Sequence, residues 1–277
     1  MQSPPLLTPG PPGKRKLRIP LWLFLVAIVL ISAALYIIPH LLRNSHPYIS
    51  LRDGRQMPPE SRPKQTLPDG TQIWLNDNSE ISYMNDLKTP NRRELKLEGE
   101  AYLIISKDTH PFIVHTPTMD VKANGATLDI NAYEDDKTAE ASVFGDSASV
   151  TLGDDPSKKF GLRSGQKLIV RKADKTNGQS QPLAALDTVH YQREDSLYIE
   201  SAWVKFRLAM FDTNLEELAP RLQRLYGMKF SITGDQLKKQ RFSIVIPTYD
   251  VEMTLTVLQA IEPFHYTIDK KEIHIQP

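Results

Sequence analysis

Hydrophobic positions follow three regimes along the chain. From residue 19 to 38 they are continuous: IPLWLFLVAIVLISAALYII carries no charge. Wound as a helix, that run would be roughly 30 Å long, the thickness of a bilayer's hydrocarbon core. From Thr66 to about residue 172 apolar residues instead alternate with polar ones, the period of strands. From about Ala202 to the end, alternating stretches are separated by two with helical spacing.

The continuous run predicts one transmembrane helix over 19–38. Lys14, Arg15, Lys16 and Arg18 precede it without an acidic residue, a bias that keeps the preceding tail in the cytoplasm. Trp22 and Tyr36 lie near its two ends, where amphipathic rings prefer the headgroup level. A buried core helix is a poorer reading of so long a run beside a basic cluster. A cleaved signal peptide is also poorer, because the run is too long and no A-x-A follows it. With no cysteine, a lipoprotein anchor is excluded. The expected topology is a cytoplasmic tail over 1–18, the span in contact with membrane lipid, and the bulk outside the cytoplasm. Residues 39–65, punctuated by Pro47, Pro58, Pro59 and Pro63, read as a linker.

Over 66–172 the pattern predicts an all-β domain. Asp69-Gly70 marks a turn, and Ile73 and Leu75 share one strand face with Trp74 opposite. Further strands are expected at 80–84, 93–97, 101–106, 112–116, 119–123, 127–132, 139–144, 147–152 and 166–171. The glycines Gly70, Gly99, Gly125, Gly145, Gly161 and Gly165 are assigned to turns between them. Residues 173–201 read as a polar linker with a helical stretch near 183–192. Over 202–277 the spacing predicts a compact α+β module. A strand is expected through Val204, Phe206, Leu208 and Met210. Thr213 with Glu216 then has capping-box spacing for a helix whose inner face is Leu215, Leu218, Leu222 and Leu225, ended by Gly227. Asp250 is the expected cap of a second helix, and the chain closes on a hairpin turning at Asp269-Lys270-Lys271.

Composition narrows the chemistry. A formal net charge of +1 lacks the basic excess of a nucleic-acid binder, and no nucleic-acid partner is expected. The seven histidines show no H-x-x-x-H spacing, so no metal is expected; His265 and His274 at most face each other across the terminal hairpin. Neither G-x-S-x-G nor a glycine-rich phosphate loop occurs, and no cofactor is expected. Glu98 and Glu100, two apart on a strand, are the best acidic pair for a glycosidase, but such pairs are ordinary on solvated strand faces. No catalytic residue is assigned, and the chain reads as a non-enzyme working through contacts. Its terminal module, with exposed sheet edges, suits recognition by strand addition.

Several ordered blocks resemble one family. LPDGTQIWLNDNSEISY contains Leu67, Asp69, Gly70, Trp74 and Leu75, and resembles the opening signature of the FecR family of transmembrane anti-sigma regulators. LEGEAYLIISKDTHPFIVHT resembles its next block through Gly99, Glu100, Ala101, Tyr102, Pro111, Phe112 and Val114. ANGATLDINAY is similar to a third block, with Leu128-Asp129 where an aromatic-Asn pair is usual. LRSGQKL carries the Gly165-Gln166 of a fourth. WVKFRLAMFDTNLEELAPRLQRLYGMKF, with Trp203, Leu215, Leu218, Leu222 and Tyr226, is similar to the C-terminal domain of the Bacteroidetes branch, itself related to the short N-terminal signalling domain (STN) of secretins and TonB-dependent transducers.

The resemblance implies a mainly β periplasmic domain, a small α+β signalling domain and an inner-membrane location. It implies a relay in which a TonB-dependent transducer's signalling domain contacts the periplasmic part and the message reaches an extracytoplasmic-function (ECF) sigma factor. The branch usually has a helical sigma-binding domain before the span. Here only residues 1–18 precede it, so that domain is expected to be missing. A periplasmic binding or scaffold protein without sigma-factor control is the alternative. Alkaline phosphatase fused after position 42 should be active in cells, and inactive when residues 14–38 are deleted; activity that survives the deletion would refute the span.

Overall fold

The computed structural model describes residues 62–83, 93–173, 182–247 and 250–277, all within one compact unit spanning 58–277. The expected tail and span, and nearly all of the 39–65 linker, lie outside the described residues. Among the described residues no helix is long and apolar enough to cross a membrane.

The first part is built of strands β1 (Gln65–Thr66), β2 (Gln72–Leu75), β3 (Glu80–Tyr83), β4 (Arg93–Ile104), β5 (Phe112–His115) and β6 (Met119–Ala123). These are followed by β7 (Thr127–Ala132), β8 (Thr138–Gly145), β9 (Ser147–Leu152), β10 (Lys159–Arg163), β11 (Gln166–Arg171) and β12 (Leu183–Thr188). They form two runs joined by β4. One run is ordered β1-β2-β4-β7-β8-β11-β12; the other is ordered β3-β4-β5-β6-β9-β10. Both are antiparallel except for the parallel pair β4/β5. Odd-numbered residues of β4 (Leu95, Leu97, Ala101, Leu103) enter one core with Ile73, Val114, Val121, Ile130, Val150 and Leu168 from both runs. The runs therefore sandwich a single apolar layer, and the period-two pattern was reporting it.

Strand β4 departs from expectation. The chain does not break between 97 and 101 but continues as one strand of 12 residues. Gly99 sits inside it with φ +104, and a Cβ there would lie 2.4 Å from Ser79 Oγ and 2.7 Å from Ser79 Cα. This glycine serves a close backbone approach inside a strand rather than a turn. Gly161 is likewise inside a strand, β10, which the pattern did not reveal.

The opening LPDG signature makes a tight turn, with Gly70 N donating to Leu67 O at 2.9 Å and Gly70 at φ +85. Asp69 accepts from the Thr71 amide and hydroxyl and pairs with Arg93 at 2.8 Å, both side chains almost fully buried. Arg93 also donates to the Ser106 and His110 carbonyls. The turn is thereby fastened to β4 and to the loop after it.

Residues 173–201 are not simply a linker. β12 adds to the edge of the sheet beside β11, with Leu183 and Leu186 exposed, where a helical stretch was expected. Antiparallel pairing with β11 satisfies its backbone, a tertiary gain that local helical spacing does not register. A small hairpin, β13 (Tyr191–Gln192) and β14 (Leu197–Tyr198), follows.

The terminal module runs β15 (Arg207–Asn214), α1 (Leu215–Tyr226), β16 (Lys229–Ile232), α2 (Asp235–Lys238), β17 (Arg241–Pro247), α3 (Val251–Ile261), β18 (His265–Asp269) and β19 (Glu272–Gln276). β15 pairs with β17, and β19 lies between β16 and β18. Leu215, Leu218 and Leu222 face a second core with Leu255, Leu258 and Ile273. Gly227 ends α1 in the left-handed conformation. Asp250 caps α3 by accepting from the amides of Glu252 and Met253.

Two local expectations are corrected here. The cap of α1 is Asn214, whose side chain accepts from Glu217 N, and not Thr213. The Thr213 hydroxyl donates instead to Phe211 O, back along β15. The strand expected from Val204 begins only at Arg207. Ala202–Lys205 form a 3-10 turn closed by Phe206 at φ 52. Gly99→Ala should lower unfolding stability by about 2–5 kcal/mol, from left-handed strain and overlap with Ser79; denaturant titration would read it, and an unchanged midpoint would contradict the packing.

Candidate interdomain site

The outer face of the β1-to-β12 run carries Glu100, Asp129, Asn131, Glu140 and Lys167, residues that alternate with core positions and so read as solvated in sequence. The structure instead covers this face. The 3-10 turn and helix α1 lie across it, bounding a cleft of about 1240 Å³. Asp129 is 3% exposed and Glu100 8% exposed.

Side chains of both layers bind them together. The Trp203 indole Nε1 donates to Asp129 Oδ1 at 3.0 Å. Arg224, in the last turn of α1, makes a two-pronged pair with Asp136, both contacts at 2.8 Å, and its guanidinium stacks on the Tyr133 ring at 3.7 Å. Arg62 makes a second fork to Asp77 at 2.8 and 2.6 Å. The two forks are connected, because the Tyr133 hydroxyl donates to Asp77 O at 2.6 Å and lies 3.1 Å from Ser79 Oγ. Ser79 Oγ in turn accepts from Glu100 N. At the other end, Glu200 accepts from Lys167 at 3.1 Å and from the His190 amide.

The two buried carboxyls are electrostatically costly. Burial pushes Glu100 above the ordinary carboxylate range, against the hydrogen bond from Asn76 (2.5 Å) and the charge of Arg221. Burial, reinforced by the charge of Glu100, holds Asp129 well above its usual value, with the Trp203 hydrogen bond opposing. Burial likewise raises the Tyr133 phenol.

The family-motif residues divide into two groups. Leu67, Ala101, Phe112 and Val114 are in the sandwich core, with Leu75 packed against it. Pro111 leads into β5. Gly165 turns at φ +87, and Gln166 accepts from Arg163 N. Tyr226 bonds Thr254 within the module at 2.5 Å. Trp74 and Tyr102 belong to a row of rings, Trp74–Tyr102–Phe144–Tyr198, with centroids 4.7–5.8 Å apart. Only Glu100 and Trp203 reach the interdomain face, and the structure brings them together around Asp129.

Sequence spacing singles out none of Arg62, Asp77 and Arg224 and places Asp136 only in a turn; the four stand in coil, turns and a helix, where no period marks a shared face. Glu98 points to solvent and pairs with Lys96, so it forms no acidic pair with buried Glu100. His265 lies opposite Gln276 and His274 opposite Thr267, so the two histidines are not paired. Among the described residues no cluster of three metal-ligating side chains occurs.

Stability should respond to pH through the carboxyl pair. Their raised values mean that the folded chain holds protons the unfolded chain has lost. Their contribution is therefore fully favourable below the ordinary carboxyl range and declines as pH rises towards the raised values. Asp129→Asn keeps an acceptor for Trp203 without the charge. Its melting temperature should exceed the parent's near pH 8 and converge with it near pH 4; parallel curves would contradict the burial argument.

Comparison with known families agrees with this division. Residues 57–149 match the family described as FecR protein, and residues 207–275 match that described as FecR, C-terminal. Comparison with curated proteins gives no match. Two crystal structures of a proposed anti-sigma factor from Parabacteroides distasonis ATCC 8503, at 1.65 and 2.50 Å resolution, share the fold. They are 23% and 22% identical, each with a TM-score of 0.65 over 78% of this chain and 94% of theirs. One matched segment falls on the sandwich and the other on the terminal module, in the order in which both stand here: over residues 57–149 and 207–275 the chain belongs to the FecR family.

Proposed function

We propose that the chain is an anti-sigma regulator of the FecR type, anchored in the inner membrane by residues 19–38, that relays a signal through protein contacts without catalysis. The observation that carries this reading is the joint presence of both FecR segments. The fold shared with a proposed anti-sigma factor supports it. On this reading the terminal module is the receiver, resembling an STN-type signalling domain, and lies in the periplasm. Its partner is the signalling domain of a TonB-dependent transducer. β18 and β16 lie at the two ends of its three-stranded sheet, each with one strand neighbour, and suit strand addition. The output is altered hold on an ECF sigma factor. The sandwich, joined to the module through buried polar contacts, passes the receiver's state towards the N-terminal part.

The full-length protein in detergent should bind the purified signalling domain of its co-expressed transducer, and Ile268→Lys on exposed β18 should weaken that binding by at least about tenfold, since a buried unpaired charge costs more than 1.4 kcal/mol. Absence of binding to any co-expressed transducer, together with a sigma-dependent reporter indifferent to deletion of the gene, would refute the relay.

A further inference from the structure

The segment between the expected span and the sandwich enters the described structure at Arg62, and Arg62 does not pack against the sandwich alone. Its amide donates to Val204 O at 2.8 Å. Its Nε donates to Trp203 O at 3.4 Å. Its guanidinium lies 5.7 Å from the Trp203 ring centroid and 5.1 Å from that of Phe206. The fork to Asp77 then fixes the same guanidinium to the sandwich, leaving the side chain 12% exposed. Residue 62 is thus held by the turn at 202–206, some 140 positions away in sequence and directly before β15.

We propose that Arg62 is a coupling clamp: the turn that opens the terminal module grips the chain just ahead of β1, so displacement of that turn leaves residue 62 held by Asp77 alone. The proposal rests on the relay reading for its biological meaning but not for its physics. A strand added to the module need not touch the sandwich to be felt at residue 62, because the module already holds it. Trp203 has two roles in this arrangement. Its indole nitrogen bonds Asp129 on the sandwich, and its backbone carbonyl and its ring contact Arg62, so one residue couples the docking of the module to the grip on the chain. The fork–stack combination is specific to arginine, because lysine offers neither the planar face nor two parallel donors.

The chain has no cysteine, so a single engineered pair can be read cleanly. Pro63 and Lys205 flank the contact and are exposed. In the full-length protein in detergent, Pro63→Cys with Lys205→Cys should be joined efficiently by a short bis-maleimide. Adding Arg62→Ala should reduce the initial cross-linking rate at least about fivefold, and Arg62→Lys by an intermediate factor. An unchanged rate in Arg62→Ala, with melting retained, would overturn the clamp. Should either variant fail to fold, hydrogen exchange on the unmodified protein decides: the Arg62 amide should be protected, and exchange at the free-peptide rate would overturn the proposal. A sigma-dependent reporter separates the two readings. Slower cross-linking in Arg62→Ala with a reporter unmoved by that variant would count against the relay and leave the clamp standing.

Discussion

Strand β4 is the constraint on which the rest of the structure depends. It belongs to both runs of the sandwich, so its two halves must turn relative to each other without losing their pairings. The turn is made at Gly99, where Ser79 occupies the space a side chain would need. Before that point Lys96 and Glu98 face solvent; just after it Glu100 is covered, Tyr102 packs among Trp74 and Phe144, and Ile104 at the strand's end is exposed again.

The interdomain layer that results is polar rather than oily. The Trp203–Asp129 bond, the Arg224–Asp136 fork and Arg62, held between Asp77 and the 202–206 turn, span it. Such a layer is held by geometry more than by area. Breaking one partner leaves a charge without its counter-ion in a low-dielectric space. Buried carboxyls that prefer to keep their protons make it weaker still as pH rises.

The position of Arg62 gives this joint a direction. Were the terminal module attached only to the sandwich, its movements would have to pass through twelve paired strands. Instead it touches the chain at Arg62, just ahead of β1, and the sandwich contributes Asp77 as the second jaw. The same residue therefore reports on the module and on the sandwich together.

Much of the fold was legible from residue spacing. Period-two alternation located β2, β5 to β9 and β11 because one face of each meets an apolar core. Gly227 and Asp250 punctuated the helices because left-handed backbone and an unsatisfied helix start each demand particular residues. Spacing is silent on which segment will be a partner. β12 carries helical spacing but is held as a strand by pairing with β11, and 202–206 alternates like a strand but is a turn in contact with Arg62, some 140 positions away. Glu100 of β4 reads as wet because alternation distinguishes core from non-core and says nothing about what covers the outer face. Which residues must be hidden from water, and where the backbone must bend, follow from residue order alone. Which charges meet does not, since forks such as Arg62–Asp77 and Arg224–Asp136 depend on positions set by the packing of whole layers.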